Sequence, residues 1–181
     1  KSPLEVNYRL LTNMIQTARL FYRVLAFLVL IILLTFGTMY MYQVTDGFVK
    51  VENTLLVWVI FSFATFFNLN FAYYTALLTG QGLIMESKKA ILYSKMAFIL
   101  LAFVFLYAGL GLLGVTLAGL IMPFVQRFVS HFYFFKKELK DQLNQFKISF
   151  HEKFELFKIL GYNASKLGLV FIGAFAVTRF S

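Results

Sequence analysis

The 181-residue sequence has no cysteine, two prolines, one tryptophan and only 8 acidic residues. Without cysteine it can hold neither a disulfide framework nor a thiolate metal site. Charged residues make up 14% of the chain, against roughly a quarter in an ordinary soluble domain, which excludes a conventional water-solvated surface. The two histidines, His131 and His151, sit on separate segments with few carboxylates nearby. Neither a zinc-ligand spacing nor a set of nucleophile, base and orienter can be assembled from them. No catalytic residue, metal site or cofactor is therefore expected, and the chain is not expected to be an enzyme.

What is abundant is apolar surface: 60% of residues are hydrophobic, 24 of them Phe, and the mean hydropathy is +0.77. Such a composition would aggregate in water but suits helices whose outer faces meet lipid. A spanning helix needs about 20 apolar residues, because lipid offers backbone N–H and C=O groups no partner and a helix satisfies them internally. The expected fold class is accordingly an all-α, polytopic integral membrane helix bundle. Spans are expected over about 24–42, 54–78, 91–108 and 112–135. The last two follow from one nearly uninterrupted apolar stretch, 91–135, about 68 Å long as a helix and so twice the hydrocarbon thickness, which must turn back once. Its only breakers, Gly109, Gly111 and Gly114, are expected to make that hairpin. A fifth span starts near Ile159 and stops at Ser181 before completing a crossing. With Lys1 in first place and no signal peptide ahead of Leu4, the chain is expected to be an internal stretch of a longer protein.

The net charge of +9 has a topological reading. Lys1, Arg9, Arg19 and Arg23 precede the first span. Lys88, Lys89 and Lys95 lie between the second and third, and Lys136, Lys137, Lys140, Lys147, Lys153 and Lys158 follow the fourth. With Arg127 and Lys166 at the ends of their helices, one side receives all but Lys50 and Arg179 of the 17 basic residues. Cytoplasmic loops retain positive charge during insertion, so that side is expected to be cytoplasmic, and no basic stripe is left for a nucleic-acid partner. Tyr40 and Tyr42 on one side, and Tyr73, Tyr74, Tyr93 and Tyr133 on the other, fit interfacial anchors. Within 136–158, Leu139, Leu143, Phe146, Phe150, Phe154 and Phe157 recur at steps of four and three with lysines between. That pattern describes an amphipathic connector on the inner membrane surface.

Several motifs carry less than their letters promise. The run from Gly109 to Gly114 matches a dinucleotide fingerprint but lacks the strand, helix and downstream acid it requires, and reads as a turn. Gly80-Gln81-Gly82 lacks the Gly-Lys pair of a phosphate loop and reads as a helix C-terminus. Asn163-Ala164-Ser165 is a glycosylation sequon at the inner surface, where no glycan is attached. Polar groups within spans matter more. Arg127 can either line a cavity or snorkel to the interface, and Pro123 one turn earlier frees the Gly119 carbonyl and implies a kink. Asn68 and Asn70 are either interhelical glue or part of a polar path. Arg179, following twelve uncharged residues, is either a cavity cation or an interface anchor.

Tyr162-Asn163-Ala164-Ser165-Lys166-Leu167-Gly168-Leu169, continuing to Gly173-Ala174-Phe175 and Thr178-Arg179, resembles the helix that opens the second lobe of flippases for O-antigen units. Tyr74-Thr75-Ala76-Leu77-Leu78-Thr79-Gly80 and the Gly109 to Gly114 hairpin are similar to the middle spans of the same family, part of the multidrug/oligosaccharidyl-lipid/polysaccharide (MOP) exporter superfamily. The resemblance covers most of the chain, about the third to the seventh of twelve or more helices. It implies a two-lobe fold around a central cavity, with 1–135 in the first lobe, 136–158 as cytoplasmic connector and 159–181 opening the second. It further implies alternating-access translocation of a polyprenyl-pyrophosphate-linked oligosaccharide across the bacterial cytoplasmic membrane. The implied partners are that lipid-linked substrate, membrane lipids and other polysaccharide-assembly proteins. The candidate substrate-path residues are Arg179, Lys166, Arg127, Asn163, Asn70 and Asn68. A small-molecule exporter of the same superfamily, with a less cationic cavity, and a non-transporting assembly subunit remain the alternatives.

Overall fold

The computed structural model describes residues 8–45, 51–134 and 149–180, nearly all of them helical and none of them in a strand. Helix α1 (Tyr8–Ile32) passes through a π-helical turn (Leu33–Gly37) into α2 (Thr38–Thr45), and α3 (Val51–Gly80), α4 (Ile84–Tyr107), α5 (Gly111–Phe134) and α6 (Phe150–Phe180) follow. Four helical stretches are long and apolar enough to cross a bilayer: Tyr8–Thr45, Asn53–Gly80, Ile84–Tyr107 and Gly111–Phe134. The chain is thus a multi-pass helical membrane protein. The helices are longer than the apolar runs alone indicate. Tyr8–Thr45 has 38 residues, about 57 Å, so it outreaches a hydrocarbon core of about 30 Å and carries Arg9, Arg19 and Arg23 on helix. Lys88 and Lys89, expected before the third span, already stand on the second turn of α4, and Lys95 lies further along the same helix. The fifth expected span falls in α6, which runs unbroken through residues 158 and 159; beyond Val170 its side chains lie outside the description. Of the expected connector, 136–148 lies outside the described residues, as do Lys1 and Lys50.

The chain divides into two compact units, one of residues 22–138 and one of 1–21 with 139–181. In the first, contacts fix the running directions. Trp58 of α3 meets Leu33 and Gly37 while Phe66 meets Phe27, so the first two spans are antiparallel. Phe124 of α5 meets Phe67 and Phe71, and His131 meets Tyr74, so α3 and α5 run the same way. Helix α5 packs along both α3 and α4, whereas α3 and α4 touch little although only residues 81–83 separate them.

Both links use the same chain reversal. Leu83 N–H donates to Leu78 O at 2.9 Å and Gly82 N–H to Thr79 O at 3.0 Å; Leu110 N–H donates to Phe105 O and Gly109 N–H to Leu106 O. These crossed bonds close Schellman motifs on Gly82 (φ 77°) and Gly109 (φ 80°), a left-handed conformation that glycine adopts without a Cβ clash. Gly114 differs from the expectation: it is not in the turn but inside α5, where a Cβ would stand 2.7 Å from Phe105 Cβ. Its role is close approach of two helices rather than reversal.

Small residues are buried beside a few large ones such as Leu78 and Phe134, while many large apolar side chains face outward. Ala26, Ala118, Ser62, Ser94 and Ser130 are fully buried, while Phe36, Phe103, Phe128 and Phe132 are exposed. Lipid tails are as apolar as Phe, so helices gain by packing small residues where backbones approach and leaving large ones outside. Two of these buried hydroxyls return to their own helices: Ser62 Oγ donates to Trp58 O and Ser94 Oγ to Ile91 O. In the second unit, the start of α1 meets α6 through Phe21 and Phe157, whose rings lie edge to face at 5.5 Å, and through an Arg9–Glu152 ion pair of 2.7 Å. Thr12, Asn13, Ile15 and Thr17 are buried there, with Thr17 Oγ1 donating to Asn13 Oδ1.

Candidate functional site

Polar chemistry within the first unit gathers along the α3–α5 contact. On α5, Phe124, Arg127, Phe128 and His131 follow the i, i+3, i+4, i+7 spacing of one helical stripe and line a pocket of about 300 Å³. The Arg127 guanidinium lies 4.8 Å from the centre of the Phe71 ring, close enough for a cation–π attraction. Its charge has no carboxylate partner among the described residues. One turn further along, Tyr74 OH is hydrogen-bonded to His131 Nδ1 at 3.3 Å, with Tyr74 itself buried. Gln126 Nε2 donates to Thr75 Oγ1 at 3.1 Å on the neighbouring stripe. Ser130 Oγ is fully buried without a partner among the described residues; rotation about χ1 brings such a hydroxyl within reach of the carbonyl one turn back.

Asn68 lies nearer the middle of α3 and lines a cavity of about 260 Å³ shared with Phe98 of α4 and Val115, Thr116 and Gly119 of α5. The two threonines of that cavity are satisfied by their own helices, Thr65 Oγ1 donating to Phe61 O and Thr116 Oγ1 to Leu113 O. No side-chain hydrogen bond joins Asn68 or the half-buried Asn70 to a neighbouring helix among the described residues.

The remaining candidates lie on α6. Lys166 is exposed and places its Nζ 4.3 Å from the Tyr162 ring centre one turn earlier. Asn163 is exposed beside it. Arg179 belongs to the same helix, but its side chain is outside the described residues. The structure thus brings Asn68, Asn70 and Arg127 into one unit and Asn163, Lys166 and Arg179 into the other.

No protein-family model matches this chain, and no curated protein or solved structure matches it either. The chemistry of the site has to be argued from its own residues. Among the described residues no cluster of three His, Asp or Glu side chains could hold a metal ion. What the α3–α5 groove can do is present a fixed cation, an imidazole and aromatic walls to something anionic with an apolar part. Sequence reasoning named Arg127 but treated Tyr74 as an anchor and set His131 aside as a metal ligand. The signal that could have joined them was the shared stripe of residues 124, 127, 128 and 131; the partner stripe on α3 becomes visible only once the helices are docked.

Proposed function

We propose that the chain is part of a two-lobe flippase of the MOP type, which moves a polyprenyl-pyrophosphate-linked oligosaccharide across the bacterial cytoplasmic membrane by alternating access. The reading draws its family from the resemblance of residues 162–169 and 173–179 to the helix opening the second lobe. From the structure, one observation carries it: Asn68 stands within a span, exposed on the wall of an open cavity lined by α3, α4 and α5, without a side-chain partner among the described residues. An exposed amide inside a span would face hydrocarbon unless water, another helix or a polar cargo meets it, and polar side chains within spans commonly mark such a route. An open amide among spans fits a route along which a polar headgroup passes while its lipid tail stays between helices. Lys166 and Arg179 supply cations for the pyrophosphate in the second lobe's first helix, with Asn163 and Asn70 as further polar contacts.

The test is made in the cell that produces the protein. Removing the gene should abolish the surface polysaccharide and leave its lipid-linked precursor with the glycan on the cytoplasmic side. Wild type should restore export and Asn68→Leu should restore it poorly at equal membrane abundance. Normal surface polysaccharide in the deletion strain rules the proposal out.

A further inference from the structure

The Arg127 groove has features that transport of a cargo does not require. Arg127 is about 10 Å from the end of α5 on the lysine-rich side, seven residues at 1.5 Å each, in the half of the span nearer those headgroups. The walls are aromatic and laterally open: Phe128 is 76% exposed and Phe124 41%. The guanidinium lies against the Phe71 ring, and His131, bonded to Tyr74, lines the pocket one turn nearer the headgroups. A cation fixed on the Phe71 ring about 10 Å from the end of its span, with the Phe124 ring reaching deeper and the exposed Phe128 ring beside it, is complementary to a lipid whose phosphate is drawn down to the guanidinium and whose acyl chain lies along the rings.

We propose that the pocket formed by Phe124, Arg127, Phe128 and His131 is a binding site for the phosphate of an anionic membrane phospholipid from the leaflet on the lysine-rich side. Arg127 donates to the phosphate oxygens, in the geometry that suits guanidinium and phosphate, and Phe124 and Phe128 line the first part of an acyl chain. The site goes beyond the flippase reading and does not depend on its cargo. The phospholipid is a resident ligand that keeps Arg127 neutralised within the span.

The experiment uses the full-length protein in nanodiscs holding equal amounts of phosphatidylglycerol and phosphatidylcholine, followed by native mass spectrometry of the lipids retained. Wild type should keep phosphatidylglycerol in preference to phosphatidylcholine. Arg127→Gln should lower that preference by about ten-fold, the loss of one charge-assisted contact, and Arg127→Lys should keep part of it. Lys88→Gln with Lys89→Gln, which removes interfacial charge from α4, should leave it unchanged. Absence of a preference in wild type overturns the proposal without any variant. So does an equal loss in the lysine variant, which would mean diffuse attraction to the surface. Displacement of the bound lipid by inorganic phosphate alone would show a free-phosphate site, and Arg127-dependent displacement by polyprenyl phosphate would assign the pocket to the transport path; either result overturns the phospholipid assignment.

Discussion

Gly37 decides by a missing methyl group how the first span meets the second. A Cβ there would lie 2.5 Å from Trp58 Cζ2, so only glycine lets the indole ring sit against the π turn. That turn displaces the helical ladder by one residue, and Trp58 Nε1–H donates to the Leu33 carbonyl at 3.3 Å, a partner that lipid would not supply. Gly37→Ala should therefore destabilise the protein by about 1–3 kcal/mol through overpacking, and Trp58→Phe by a similar amount through the lost hydrogen bond. The double variant should cost less than the two losses added, because the smaller ring gives room to the new methyl group. Urea or thermal unfolding in detergent, followed by helical circular dichroism, measures all three; strict additivity would show that the two sites are independent.

The elements are bounded by backbone chemistry that composition alone hides. Helix α3 ends in Gly80-Gln81-Gly82, yet the two glycines differ. Gly82 has φ 77°, and a Cβ at either would meet nothing within 4 Å. Gly80→Ala should be neutral or mildly stabilising, since alanine restricts the unfolded chain and suits a helix end. Gly82→Ala should cost about 1 kcal/mol from the left-handed backbone alone. Gly109→Ala should behave like Gly82→Ala, whereas Gly114→Ala should be worse than either because its Cβ would meet Phe105 at 2.7 Å. A ranking by unfolding midpoint checks this, and equal effects at Gly80 and Gly82 would contradict the Schellman assignment. The glycine run 109–114 was legible as a reversal because two spans cannot fit in one helix. Which glycine turns and which packs was not, because a letter does not carry a φ angle.

For the whole molecule, the absence of cysteine makes its topology directly measurable. Leu110→Cys, in the link between α4 and α5, should react with a membrane-impermeant thiol reagent in intact cells. Lys88→Cys, at the start of α4, should react only after permeabilisation, as the concentration of lysine on its side demands. Labelling of Lys88→Cys from outside would invert the orientation. Within the unit formed by residues 1–21 and 139–181, Arg9 and Glu152 meet across 143 positions of sequence. Both are partly exposed, so Arg9→Ala should change stability by less than about 1 kcal/mol. Arg9→Cys with Glu152→Cys should nevertheless be joined by a short bifunctional thiol reagent, and no cross-link would mean the two helices do not meet.

That the chain carries four helices apolar and long enough to cross a bilayer was legible in the sequence, because a bilayer filters on hydrophobic length, which is a local property. Runs such as 24–42 and 54–78 needed no knowledge of their neighbours. The tertiary structure decided what touches what. It set Arg127 on Phe71 and His131 on Tyr74, placed Trp58 over the Leu33 carbonyl, and left Asn68 on a cavity wall without a side-chain partner among the described residues. These pairings depend on the rotation and register of α3 against α5 and α1. Lipid and protein are nearly equal solvents for an apolar side chain, so hydrophobicity does not specify that rotation; close approach at small residues and the few polar contacts do.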